Sequence, residues 1–154
     1  MRRLVSVPIV ASVALFNLPA LAQTNSQIAA EVIAITKAQW AAEIAKEPAA
    51  TAMQTVADEY TQFDPDTPTR VDGKDLNMRL ADALAGGVGG LVAAEMANEK
   101  VQVYGDVAIL TYNFVGMTKD KDGVVAPSLA KSTRVYVNED GQWMLVHANF
   151  APAN

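Results

Sequence analysis

The chain contains no cysteine and only one histidine among its 154 residues. Without cysteine there is no disulfide, no thiolate nucleophile and no sulfur ligand for a metal. A single histidine cannot complete a structural zinc site by itself, so no metal site is expected. Packing, and any oligomerisation, must therefore stabilise the fold.

Clusters of positive charge are also missing. The chain carries 12 basic and 17 acidic residues, a net charge of −5. This balance argues against nucleic acid and anionic membrane surfaces as partners. The glycine-rich run at residues 86–90 is not a phosphate-binding loop, because no Lys-Ser or Lys-Thr pair follows it. It is interpreted as a joint before a strand, and no cofactor is expected.

The N-terminus resembles a secretory signal peptide. Arg2 and Arg3 precede an apolar run at residues 4–18, and residues 20–22 read Ala-Leu-Ala before Gln23. Small residues at these positions are typical of a cleavage site. The alternative, an uncleaved anchor, fits less well because the run is short and interrupted by proline. We expect residues 1–22 to be removed and the mature protein to be periplasmic or secreted, without a membrane segment.

The remaining residues, 23–154, suit a single domain that begins with helices. Thr24-Asn25-Ser26 is a plausible start for helix one. Its predicted inward face contains Ala29, Ile33, Trp40 and Ile44. Helix two is predicted at residues 49–59, after Pro48, and helix three at residues 74–84.

The second half of the chain is rich in strand signals. Asp140-Gly141 separates two β-rich runs at residues 132–137 and 142–150, which is a strong hairpin pattern. Gly105 marks a second turn, before a strand at residues 107–116. A strand at residues 99–103 precedes this turn, so these runs predict an antiparallel meander of about four strands, and the glycine run enters a further strand at residues 91–98. Helices followed by strands indicate an α+β fold.

The order of these motifs resembles a known superfamily. The runs VYGDVAILTY, KDG and TRVYVNEDGQWMLVH look like the SnoaL-like, nuclear-transport-factor-2-like superfamily. The closest similarity is to the association domain of calcium/calmodulin-dependent kinase and its bacterial relatives. The resemblance implies a SnoaL-like domain over residues 23–154. In such a domain, a cone-shaped, bent antiparallel sheet (a cystatin-like roll) wraps around the N-terminal helices and leaves a pocket.

Arg134 is the strongest candidate binding residue. It lies within an apolar strand, and a buried arginine requires a charge partner or a ligand. The resemblance places the matching arginine in the pocket, with Tyr112 and Tyr136 as neighbours and Phe114 where the family has a second arginine. The alternative is that Arg134 forms an internal ion pair with a carboxylate such as Asp64.

Further candidates are Trp40 and Tyr60 as pocket-lining aromatics, and Asp64 or His147 as a catalytic base. Strict strand alternation places His147 on the same face as Trp143, Leu145 and Asn149. No orienting partner for either base is evident from the sequence.

Three functions remain open from the sequence: a protein that binds a small, anionic molecule, an isomerase, dehydratase or cyclase, and an oligomeric adaptor without a ligand. Large apolar residues on both faces of the last strand predict a homodimer through the outer sheet face, as the resemblance also implies. They are Met144, Val146 and Phe150 on one face, and Trp143 and Leu145 on the other.

Overall fold

A computed structural model describes residues 23–65, 67–85 and 89–153. The predicted signal peptide and the centre of the glycine run lie outside these residues. No helix within the described ranges is long and apolar enough to cross a bilayer. The elements, in chain order, are α1 (Asn25–Ile44), α2 (Ala49–Ala52), β1 (Val56–Phe63), β2 (Val71–Asp72), α3 (Lys74–Ala85), β3 (Gly90–Tyr104), β4 (Val107–Lys119), β5 (Val125–Glu139) and β6 (Gln142–Pro152).

Helix α1 begins with a capping box. The Thr24 hydroxyl accepts a hydrogen bond from the Gln27 amide, and the Gln27 side chain accepts one from the Thr24 amide. Two backbone N–H groups that lack helical partners are thereby satisfied.

The buried face of α1 differs from the prediction. Ile28, Val32, Thr36 and Trp40, each four residues apart, form the inward stripe, whereas Ile44 is 38% exposed. The apolar pattern of the sequence does not include Thr36, which is buried because its hydroxyl donates to the Val32 carbonyl. Of the predicted inward residues, Trp40 is buried and Ile33 packs against the core, but the centre of the buried face lies about one position before Ala29 and Ile33, and Ile44 is outside it.

The prediction of a second helix over residues 49–59 is also wrong. Helix α2 ends at Ala52, and strand β1 begins at Val56. The Leu145 amide donates to the Thr55 carbonyl over 2.8 Å, which starts the pairing of β1 with β6. A pairing 90 residues away in sequence thus overrides the helical spacing of the local apolar residues.

The six strands of the described chain form one sheet in the order β2-β1-β6-β5-β4-β3. Strands β3 to β6 form the predicted antiparallel meander, β1 runs parallel to β6, and β2 pairs antiparallel with β1. The sheet is curved and unclosed, and α1 packs against its concave side, called here the inner face. The α+β, cone-shaped fold is therefore confirmed. β3 is one strand with a bulge near Asn98 (φ 53°), rather than two short ones.

A second bulge, in β6, corrects the predicted strand faces. Tyr136 pairs with Leu145, but Val135 pairs with His147, so Val146 is an extra residue without a partner on β5. The extra residue reverses the alternation beyond it. Trp143 and Leu145 stay on the inner face, while His147 and Asn149 turn to the convex side, called here the outer face.

The core lies between α1 and the inner face. Trp143, Leu145, Tyr136 and Leu110 are almost completely buried there. The Tyr136 hydroxyl donates to Thr36 over 2.7 Å, because the Thr36 hydroxyl proton is directed to the Val32 carbonyl. This bond ties α1 to β5 and positions the polar residues described next.

Candidate functional site

Arg134 lies on the inner face of β5 and is only 5% exposed. Its Nε–H donates to the Tyr112 hydroxyl over 3.0 Å, and its Nη1 donates to the Gln39 side-chain oxygen. The guanidinium also lies 5.5 Å from the centre of the Phe150 ring, in a cation–π contact. None of these partners is charged.

The predicted alternative, an ion pair between Arg134 and Asp64, is therefore absent from the described residues. No carboxylate among the described residues lies within ion-pair distance of Arg134; the ion pairs there are Arg70–Asp72 and Lys121–Asp122, both at the surface. Burial alone would lower the pKa of Arg134, but the oxygens of Tyr112, Tyr136 and Tyr60 outweigh burial and raise the pKa. Arg134 therefore stays cationic.

Three tyrosines surround the guanidinium, and their hydroxyl protons point in different directions. Tyr136 donates to Thr36, and Tyr60 donates to the Gln62 oxygen over 2.9 Å. Tyr112 accepts from Arg134, so its own proton has no acceptor among the described residues. Burial raises the pKa of Tyr60, and nearby Arg134 offsets part of this increase. Tyr60 is therefore a neutral phenol.

Ser132 supplies another donor beside Arg134. It is two residues earlier on β5, so both side chains point to the inner face. Its hydroxyl is the one buried side-chain polar atom in the described residues without a hydrogen-bond partner. A buried hydroxyl without a partner costs about 1–3 kcal/mol. The site therefore holds an unsatisfied hydroxyl next to a cation whose hydrogen-bond partners are all neutral.

Helix α1 places a row of mostly polar side chains beside Arg134. Thr36, Gln39, Trp40 and Glu43 are spaced three, four and seven residues along one face. Trp40 packs edge-on against Tyr112 (5.6 Å between ring centres) and in the same way against Phe114, at 5.4 Å.

Glu43 lies at the solvent edge of this row. Its side chain is exposed, yet enough protein surrounds it that desolvation raises the pKa of its carboxyl, while Arg134 acts in the opposite direction. A side chain at the rim of a concave surface is both accessible to solvent and partly surrounded by protein. Glu43 therefore lies at an edge of the cone interior.

Asp64 lies at the end of a chain of side-chain hydrogen bonds along β1. The buried Tyr60 hydroxyl donates to Gln62, and the Gln62 amide donates to Asp64 over 3.1 Å. The prediction that this segment follows a helix is wrong, but Tyr60 does reach the interior.

His147 is not part of this interior. The β6 bulge places it on the outer face, where its Nδ1 is 2.8 Å from the Thr61 hydroxyl and its ring lies against Phe63, with 6.1 Å between ring centres. In this arrangement Asp64 and His147 cannot face each other across one pocket. The structure therefore does not bring the two candidate bases together.

Two cavities are described. One of about 460 Å³ lies between α1 and β3, lined by residues that include Trp40, Ile44 and Met96. Trp40 borders both this cavity and the Arg134 cluster. The other, of about 340 Å³, opens on the outer face. Arg134 lines neither cavity, so the interior around it is closely packed.

The chemistry of the interior follows from its unused hydrogen-bonding groups. The remaining Arg134 N–H groups, the Tyr112 hydroxyl and the Ser132 hydroxyl are all able to donate. A group that only accepts, such as a carboxylate, would satisfy them together.

Several of these groups were missed in the sequence. Glu43 lies three residues after Trp40, and Gln39 lies three residues after Thr36 on the same helix, so helical spacing carries a signal for both. Gln62 carries a weaker signal, because it lies beyond the end of the predicted second helix at residue 59. Of the predicted binding residues, Arg134, Tyr112, Tyr136, Trp40, Tyr60 and Phe114 all lie in or against the inner cluster.

The fold has known relatives. It is similar to a CaMKII hub homology domain from Chlamydamonas reinhardtii, at 24% identity over 82% of this chain and 98% of that one, with a TM-score of 0.67. An NTF2-like protein from Pseudomonas putida KT2440 is 18% identical over 86% and 92% of the chains, with a TM-score of 0.69.

A ketosteroid isomerase-like protein from Erwinia carotovora atroseptica is 20% identical over 85% and 99% of the chains, with a TM-score of 0.70. At these identities the likenesses show the fold alone, and no curated protein matches the chain. The sequence model of the calcium/calmodulin dependent protein kinase II association domain, however, matches residues 28–153. The chain therefore belongs to the calcium/calmodulin dependent protein kinase II association domain family.

Proposed function

We propose that the interior of the cone binds a small molecule through its carboxylate, with Arg134 as the principal contact. The observation that carries this proposal is a buried, permanently charged guanidinium whose described partners are all neutral. Glu43 attracts the guanidinium from the rim but forms no ion pair with it, and a buried charge without a direct ion pair is unfavourable by several kcal/mol after relaxation. An anion would neutralise the guanidinium, and it would enter from the cavity of about 460 Å³ by displacing Trp40, which separates that cavity from the closely packed Arg134 cluster.

The neighbouring groups support an anion rather than a neutral ligand. Ser132 has no partner, and Tyr112 retains a proton to donate. Each oxygen of a carboxylate accepts more than one hydrogen bond, and bonds to a charged group are about twice as strong as neutral ones. The exposed Glu43 carboxylate at the rim would repel a ligand that carries a second negative charge on the side facing Glu43.

An enzymatic role is less well supported. Isomerases, dehydratases and cyclases of this fold require a base that faces the bound substrate. His147 lies on the opposite face of the sheet, and Asp64 is reached from the interior only through Gln62 and Tyr60. Binding without chemistry is therefore the function that the geometry favours.

Tyr112→Phe tests the proposed contact while preserving the ring that packs on Trp40. The variant removes the oxygen that receives the Arg134 Nε–H and the proton offered to the ligand. We expect carboxylate affinity to fall about 10- to 100-fold, since a hydrogen bond to a charged group contributes about 1.5–3 kcal/mol. Calorimetric titration with acetate, succinate and benzoate measures the change.

Acetamide, which has the shape of acetate without its charge, is the matched control ligand. It should bind neither protein detectably. Equal affinities of acetate for wild type and Tyr112→Phe would show that carboxylates do not reach Arg134.

Assembly is a second candidate function, favoured by membership of an association-domain family and by one surface feature. Val115 and Leu129, paired across β4 and β5, are 41% and 51% exposed on the outer face. Exposed apolar side chains grouped in this way typically belong to protein interfaces. We propose a homodimer that buries this pair.

Leu129→Glu should therefore convert the dimer to a monomer, because it would place two carboxylates in an apolar contact. Light scattering at micromolar concentration measures the mass. Leu80→Glu, which changes a similarly exposed leucine on α3 (39%), is the control and should remain dimeric. A monomeric wild type would contradict the assembly proposal but not the binding proposal.

We also propose that the protein is exported and acts in the periplasm or outside the cell. The support is the sequence of residues 1–22 alone. N-terminal sequencing of the protein from its native cells should begin near Gln23. An intact Met1 in the cytoplasmic fraction would refute export.

A further inference from the structure

Arg134 and Glu43 carry opposite charges at one site and do not meet. Glu43 lies one turn of α1 beyond Gln39, whose side-chain oxygen accepts a hydrogen bond from Arg134. The Glu43 carboxylate makes neither an ion pair nor a hydrogen bond with the part of the chain that the structure describes. The partners of Arg134 are all neutral. Each of the two charges is therefore left without a charged group in direct contact.

The two charges nevertheless lie near enough to interact. Desolvation raises the pKa of Glu43, and the positive charge of Arg134 acts in the opposite direction. Four residues of an α-helix advance about 6 Å, so the glutamate lies about one turn beyond the point where Gln39 contacts the guanidinium. An attraction without contact over such a span leaves a gap that a ligand of a few non-hydrogen atoms would bridge.

Trp40 borders both ends of this gap. It precedes Glu43 by three residues, a spacing at which helical side chains are neighbours. Its ring also packs on Tyr112, the residue that accepts the Arg134 Nε–H. Displacement of Trp40, which admits a carboxylate from the cavity of about 460 Å³, therefore opens space beside both charges.

A simple carboxylate would satisfy only one of the two charges. It would give Arg134 a counter-ion, but Glu43 would repel it and would itself remain desolvated without a cation. A ligand with an ammonium group as well as a carboxylate would supply a counter-ion for each side chain. It would also add no net charge to the interior, which reduces the cost of taking it out of water.

We propose that the ligand is a small amino acid in its zwitterionic form, with its carboxylate on Arg134 and its ammonium group on Glu43. This inference rests on the carboxylate site proposed above and makes Glu43 the residue that determines specificity. The planar fork of donors on Arg134 suits a carboxylate, and the three N–H donors of an ammonium group suit the Glu43 oxygens. The ligand is thereby oriented, with its carboxylate inside and its amine at the rim.

A direct ion pair between Arg134 and Glu43 is the competing use of these two charges. Rotation of the glutamate side chain would form it in the absence of a ligand. Glu43 would then stabilise the fold, and its removal would lower the melting temperature without changing which ligands bind.

The test is a calorimetric titration of the full chain with three amino acids and their analogues without the amine. The pairs are glycine with acetate, β-alanine with propionate, and 4-aminobutyrate with butyrate. We expect at least one amino acid to bind wild type about tenfold more tightly than its analogue, because a partly desolvated ion pair is stronger than an exposed one.

Glu43→Gln keeps the shape of the side chain and removes its charge. It should weaken binding of that amino acid about tenfold and leave the analogue bound as well as before or better. Glu31→Gln is the matched control, since Glu31 lies 12 residues earlier on the same helix, about 18 Å away. At that distance salt screens the charge, so both affinities should stay at the wild-type values.

The outcomes separate this inference from the proposed function. Analogues that bind wild type at least as tightly as every amino acid would overturn the zwitterion and leave the carboxylate site intact. Equal effects of Glu43→Gln on both members of a pair, together with a lower melting temperature, would assign Glu43 to a direct ion pair with Arg134 and would also overturn it. Absence of binding of all six compounds at about 10 mM would contradict both proposals.

Discussion

Replacing Arg134 with methionine is expected to abolish carboxylate binding and to leave the fold intact. Methionine fills the space of the apolar stem, while the charge and the planar fork of donors are lost. The expected loss of binding free energy is on the order of 2–5 kcal/mol for a buried charge pair. Calorimetric titration with the carboxylate that binds wild type most tightly measures this loss.

The same variant separates a binding role from a structural one. Tyr112 and Gln39 each lose a donor, which destabilises, but the burial of an unpaired charge is relieved. These effects oppose each other, so we expect the free energy of unfolding to change by less than about 2 kcal/mol. Excess ligand should raise the melting temperature of wild type and not that of the variant.

Arg70→Met is the matched control, because Arg70 is a surface arginine that pairs with Asp72. It should bind carboxylates as wild type does. An Arg134→Met protein that melts early and still binds carboxylates with wild-type affinity would assign Arg134 a purely structural role.

Trp143→Ala should destabilise the protein by about 3–5 kcal/mol, the usual cost of removing a large aromatic side chain from a core. Trp143 is 1% exposed on the inner face. Such a loss is a large fraction of the roughly 5–15 kcal/mol by which folded domains are usually stable. Urea unfolding followed by circular dichroism measures the free energy.

His147→Ala is the informative companion, since strict alternation would place it on the same face as Trp143. The bulge at Val146 instead turns His147 to the outer face, where it bonds with Thr61. Its removal should cost about 1 kcal/mol or less. A loss of the same size as in Trp143→Ala would show that His147 lies in the core and that the bulge is misplaced.

The parts of the fold that depend on neighbouring residues were predictable. The hairpin at Asp140-Gly141 follows from the positive φ of both residues (52° and 90°), a conformation that Asp-Gly tolerates. Helix α3 was predicted at nearly its observed length because caps and spacing are local signals. Arg134 was predicted as a buried site residue because a charge in an apolar strand is unusual.

The parts that depend on distant residues were not predictable. Residues 56–59, the first half of β1, were predicted as helix because the strand that pairs with β1, β6, is far away in sequence. The β6 bulge leaves no mark in the residue pattern, so the face of His147 was reversed. Gln39 and Ser132 look ordinary in the sequence, and only the packing of α1 on β5 brings them to Arg134.

Native mass spectrometry of the protein purified from its own cells tests the central claim most directly. We predict that wild type retains a small acid that is released on denaturation, and that Arg134→Met, prepared in parallel, carries none. Wild type without any bound acid, and without a mass increase after incubation with acetate, succinate or benzoate, would contradict the assignment of Arg134 as the site of a bound carboxylate.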